Sequence, residues 1–101
     1  MIAIIDYDAG NLRSVENAFH SLGAETEITR DPVRIGAADR VILPGVGAFG
    51  DAMERLAHYG LIPVIHDLVK RNTPLLGICL GQQLLFEESE ESPGVRGLGL
   101  I

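Results

Sequence analysis

The single cysteine of the chain, Cys79, stands in Gly77-Ile78-Cys79-Leu80-Gly81, with an apolar run before it and a helix-like pattern after it. Small residues two positions to either side are what a nucleophile elbow requires. Such a strand-to-helix turn strains its central residue, and the neighbouring chain passes too close for side chains at the flanks. A thiol at a helix N-terminus also faces the positive end of the macrodipole, which favours thiolate. The backbone N–H of Leu80 can point at a developing oxyanion. The competing reading is a buried structural cysteine, a common role for a free thiol.

A second glycine-rich stretch, "LPGVGAFG" at 43–50, follows another strand-like run. In a parallel sheet both loops fall on the edge beyond the carboxyl ends of the strands, where ligands bind. Backbone N–H groups there suit the second half of an oxyanion hole. The stretch lacks the Lys-Ser/Thr of a phosphate-binding P-loop. A glycine-rich turn without chemical consequence is the alternative.

A thiol acting on an amide needs a base and acid, usually a histidine oriented by a carboxylate. His20, His58 and His66 are the available histidines, and all precede Cys79. His66-Asp67 resembles a dyad on paper, but neighbours on a helix diverge by about 100° and do not face each other. Helix bodies lie along a sheet rather than over its catalytic edge, so none of the three is expected to serve. One cysteine and scattered histidines offer no zinc spacing, and the acidic run at 87–91 lacks a calcium-loop pattern. No metal or cofactor is indicated.

The elements that must hold these residues can be read from the apolar pattern. "IAIID" at 2–6 is a short continuous run, expected of a strand buried on both faces. Leu12, Val15, Phe19 and Leu22 recur at helical spacing, and Gly23 suits the position just past a helix end. "AETEIT" at 24–29 alternates as a strand, Asp31-Pro32 breaks it, and 33–39 carry no pattern. "RVILPG" at 40–45 is a third strand. A short helix is predicted from near Asp51 to before Gly60, and a second over "LIPVIHDLVKRN", with Pro63 in its first turn. "PLLGIC" is the fourth strand, "GQQLLFEES" begins the next helix, and a new apolar pattern at Leu98 reads as the start of a further strand. The predicted order, β-α-β-β-α-β-α, implies a parallel, doubly wound α/β sheet with helices on both faces.

Composition sets bounds on partners. Of 101 residues, 47% are apolar, and 14 acidic against 8 basic residues give a formal charge of -6. The acidic balance argues against nucleic acid and anionic membranes as partners. Part of it sits in "EESEES" at 87–92, read as a solvated loop. A lone cysteine makes no internal disulfide, Met1 runs straight into the first strand without a basic leader, and no run reaches membrane length. These features read as a soluble cytoplasmic protein.

Beyond the elbow, "GICLGQQLLFE" resembles the nucleophile segment of the class I, triad-type glutamine amidotransferases. "DYDAGNLRSVENAF" and "LPGVGAFGDAM" resemble one branch, the glutaminase subunit of imidazole glycerol phosphate synthase, with the motifs in order over residues 6–87. The resemblance implies a flavodoxin-like fold and, for Cys79, attack on the glutamine side-chain amide through a γ-glutamyl thioester. It implies an oxyanion hole from the N–H of Leu80 and one N–H of Gly45-Val46-Gly47, in a loop that rearranges in the family. Gly45, Gly47 and Gln83 fall at substrate-binding positions, and Asn11 falls in a region facing a partner. That partner is a (β/α)₈-barrel cyclase, which takes the ammonia for histidine biosynthesis. Gln82 departs from the pattern, standing where methionine is common.

The family takes its base from a His-x-Glu segment downstream, and no histidine follows Cys79 here. Residues 1–101 are therefore expected to be the N-terminal part of one amidotransferase domain, inactive alone and self-associating through uncovered apolar surface. Three other readings stay open: a non-catalytic flavodoxin-like half-domain, another class I amidotransferase branch, and a redox-sensing thiol.

Overall fold

The computed structural model describes residues 1–86 and 96–100. Its strands are β1 (Ile2–Ile5), β2 (Thr26–Thr29), β3 (Arg40–Leu43) and β4 (Leu75–Gly77). Its helices are α1 (Leu12–Ser21), α2 (Pro32–Gly36), α3 (Phe49–His58), α4 (Leu61–Lys70) and α5 (Leu80–Leu84). The four strands form one parallel sheet in the order β2-β1-β3-β4. This is the predicted α/β sheet. The crossover from β1 to β2 runs one way and those to β3 and β4 run the other. With right-handed crossovers, α1 covers one face and the remaining helices the opposite face.

Alternation along the strands divides the core accordingly. Ala3 and Ile5 of β1, with Val41 and Leu43 of β3, join Ile35, Phe49, Leu56, Leu61, Ile65 and Leu84 in one buried cluster. Ile4 and Ile42 are equally buried but point to the other face, where the register places Ile28, Ile4, Ile42 and Leu76 in a row. Among the described residues only α1 lies over that row, and α1 has no fully buried residue.

Two helix ends follow sequence rules closely. Gly23, at φ 81°, ends α1, with Gly23 N–H donating to His20 at 2.9 Å and Ala24 N–H to Phe19 at 3.1 Å, a Schellman motif. Asn72, at φ 62°, ends α4 in the same way, through Asn72 N–H to Val69 and Thr73 N–H to Leu68.

The structure corrects three expectations. The segment after Asp31-Pro32 is not patternless. Asp31 caps α2 by accepting the Val33 N–H at 2.9 Å, and Pro32 occupies the first helical position. The pair read as a breaker is a start signal, which adds a helix between β2 and β3. The helix expected from Asp51 begins at Phe49, whose side chain is fully buried. The apolar pattern at Leu98 is no strand among the described residues. Instead Leu98 N–H donates to Leu84 at 2.8 Å and Leu100 N–H to Leu85 at 2.7 Å, satisfying carbonyls at the end of α5. The acidic run at 87–92 lies outside the described residues.

Candidate active site

The turn at Cys79 has the geometry that its flanking glycines imply. Cys79 sits between β4 and α5 at φ 56°, ψ −126°, a conformation that L-residues avoid. Holding a non-glycine residue there costs roughly 1–3 kcal/mol, strain typical of functional sites. A Cβ at Gly81 would be driven into the Leu43 carbonyl, and one at Gly77 would come within 2.8 Å of the Gln82 backbone. Gly81 is required because the elbow packs directly on the end of β3, and Gly77 because the first turn of α5 folds back over β4. Ile78 N–H donates to the Leu43 carbonyl at 3.0 Å, continuing the β3–β4 ladder into the turn. Cys79 itself is exposed, which removes the reading of a buried structural thiol.

The glycine-rich loop after β3 lies beside it. A cavity of about 160 Å³ opens between the two, walled by Cys79, Ile78, Gly45, Val46, Gly10 and Asn11 among others. That space suits an amide-sized group rather than a large cofactor. A larger open depression of about 370 Å³ runs along α3 past Asp51, Glu54, Arg55 and His58, without the thiol. Among the described residues, no group of three or more His, Cys, Asp or Glu side chains is gathered as a metal site would need.

Oxyanion donors are the point at which the structure departs from expectation. Leu80 N–H is not free: it donates to the Gly45 carbonyl at 2.9 Å. Leu80 is buried, and a buried N–H without water must find a partner in the chain. Because C=O and N–H of a trans peptide point in opposite directions, the Val46 N–H faces away from the elbow in this conformation. Gly47 lies exposed at φ 91°, and Val46 is half-exposed at the cavity mouth.

Of the remaining expected residues, Asn11 joins the thiol and Gln83 does not. Asn11, left-handed at φ 55°, precedes α1 and lines the cavity with Cys79. Gln83 is exposed on α5, outside the described cavity lining. No histidine appears in that lining either. His20 ends α1, at the opposite edge of the sheet from the elbow. His66 is exposed, and its neighbour Asp67 pairs with Arg71 at 3.0 Å. His58 stacks edge-on against Tyr59, whose hydroxyl reaches Asp8 after β1, so the end of α3 does come to the carboxyl edge of the sheet.

Sequence reasoning missed the framework of the 6–11 loop. Asp8, Gly10 and Asn11 all have positive φ. Asp8 is held by the Tyr59 hydroxyl and by Arg30 at 3.1 Å, and Arg30 lies over the Tyr59 ring at 4.1 Å. These partners, the Tyr59 hydroxyl first, keep the Asp8 carboxyl below its ordinary range. Arg55 also donates to the Asp8 carbonyl at 3.3 Å. Tyr7, pointing the other way, is buried and donates to the Pro44 carbonyl. Alternation along β1 signals an inward Tyr7, but nothing in the sequence names its partner.

Comparison with known proteins agrees with this geometry. Residues 3–95 match the family described as glutamine amidotransferase class-I. The chain is 56% identical, over all its 101 residues, to the imidazole glycerol phosphate synthase subunit HisH of Sulfurimonas denitrificans, covering 49% of that protein. It is 55% identical over the same length to the HisH of Methanothermobacter thermautotrophicus, covering 50% of it. The chain thus spans about half the length of the curated relatives it matches. A crystal structure of a glutamine amidotransferase superposes with a TM-score of 0.83 at 22% identity, covering the whole chain and 53% of that protein, a likeness of fold. Because the match runs from the first strand to beyond the elbow helix, and not over the elbow alone, the chain belongs to the class-I glutamine amidotransferase family.

Proposed function

We propose that this chain supplies the nucleophile and the oxyanion framework of a glutaminase that serves imidazole glycerol phosphate synthase. The Cys79 thiolate attacks the side-chain amide carbon of glutamine. Ammonia leaves with a proton from a general acid, and water then cleaves the γ-glutamyl thioester to glutamate. The observation that carries this reading is the strained, exposed Cys79 opening onto the glycine loop.

Stabilising the tetrahedral oxyanion requires a change at Gly45. A half-turn of the Gly45–Val46 peptide withdraws the carbonyl from Leu80 N–H and swings Val46 N–H toward the thiol. One motion thus frees one donor and aims another. The Leu80–Gly45 hydrogen bond supports reading the present conformation as the resting one. Gly45 and Gly47 would line the bound amide, and Gln83 would hold the rest of the glutamine. Asn11, at the mouth of the same cavity, would face a (β/α)₈-barrel cyclase that receives the ammonia, in a cytoplasmic heterodimer. Support for that partner comes from relatives that are themselves subunits of a synthase.

The test is a chimera in which this chain is continued by the remaining half of the Sulfurimonas relative, assayed for ammonia release with that organism's cyclase subunit. Glutamine-dependent ammonia that falls by at least about a thousandfold in Cys79→Ala is expected of a covalent nucleophile. A folded chimera whose ammonia release ignores Cys79→Ala would refute the reading.

A further inference from the structure

We propose that the Tyr7 hydroxyl is a positioning group for the glycine loop: by holding the Pro44 carbonyl, it fixes the pivot about which the Gly45–Val46 peptide turns. The inference rests on the reading of that loop as an oxyanion donor given above.

Consecutive carbonyls of the loop are held from different sides. The Pro44 carbonyl accepts from Tyr7, which follows β1, while the Gly45 carbonyl accepts from Leu80 in the elbow. Pro44 has its φ locked by the ring, and a hydrogen bond on its carbonyl locks its ψ as well. The Pro44–Gly45 peptide is thereby held, and a turn of the next peptide proceeds through ψ of Gly45 and φ of Val46. A Cβ at Gly45 would lie 2.6 Å from the Tyr7 hydroxyl and 2.7 Å from the Gly81 nitrogen, so only glycine fits between latch and elbow. Turning the Gly45–Val46 peptide breaks the Leu80 bond and leaves the Tyr7 bond intact.

Tyr7 cannot retreat from this contact. It is 1% exposed, and the next residue, Asp8, is pinned outward by Tyr59 and Arg30. The latch needs a protonated phenol, since a phenolate would repel the carbonyl. Burial pushes the Tyr7 phenol up to about 12, so it keeps its proton at neutral pH.

Amide hydrogen exchange on this chain and its Tyr7→Phe variant separates a latch from simple packing. The variant keeps the ring and removes one oxygen. Leu80 N–H should exchange about tenfold faster in it, because its Gly45 acceptor has lost its anchor. Val41 N–H, bound to Pro74 at 2.9 Å within the sheet, should change by less than about twofold. Equal acceleration at Val41 and Leu80 would show lost packing alone and overturn the proposal, as would no change at Leu80. If Tyr7→Phe does not fold, the wild-type chain decides. In mixed H₂O and D₂O the Tyr7 Cζ resonance should split in two, as for a slowly exchanging bonded hydroxyl, and a single averaged line would refute the latch. Neither readout involves glutamine, so failure here is distinct from failure of Cys79-dependent ammonia release.

Discussion

At Cys79 the backbone carries strain that a structural thiol would not need. Relieving it should be measurable. Cys79→Gly is expected to raise the urea unfolding midpoint, by about 1 kcal/mol of stability after the extra freedom of unfolded glycine is subtracted. Cys79→Ala keeps a Cβ and should give no such gain. Tyr7 makes a second residue-scale prediction, at high pH. Its phenol is raised in the folded chain from 10.0 to about 12. The native state therefore binds the proton more tightly, and this contribution is fully present below pH 10. It is lost as pH rises from 10 through 12, on the order of 2 kcal/mol, and Tyr7→Phe should flatten that loss in unfolding curves taken across the window. The thiol and its glycines were legible in the sequence because sterics dictate their spacing. The occupied Leu80 N–H was not. Whether a backbone donor is free depends on which way a neighbouring peptide faces, and glycine permits both.

Among the elements, the sheet was legible because strands buried on both faces show as continuous apolar runs, as in "IAIID" and "RVIL". The missed helix, α2, is five residues long, too short for periodicity to register. Its signal was local, an Asp-Pro start whose aspartate serves as cap. Asp31→Ala should therefore cost about 1 kcal/mol, seen as a lower urea midpoint, while Asp31→Asn should restore most of it. The return of Leu98 to α5 was equally hidden. An apolar residue after glycines reads alike whether it enters a strand or seals a helix end.

For the whole molecule, the two sheet faces are unequally covered. Among the described residues four helices bury one face, whereas α1 alone covers the other, leaving Leu76 52% exposed. An apolar row continuous across the sheet and open at β4 is a surface that associates. Sedimentation velocity at high micromolar concentration should show dimers or larger species, and Leu76→Lys should shift them toward monomer. A compact monomer throughout would contradict this. The apolar content of the sequence foretold the excess surface, but only the topology shows which face carries it.

Alkylation of the thiol asks whether Cys79 is a nucleophile directed at glutamine. The chimera with the remaining half of the Sulfurimonas relative, bound to that organism's cyclase subunit, would be treated with a glutamine analogue bearing a diazoketone in place of the amide, and its intact mass followed over time. A single adduct on Cys79 is expected, slowed by excess L-glutamine and absent from Cys79→Ala. A thiol that stays unmodified, or that reacts equally fast with and without glutamine, would contradict it.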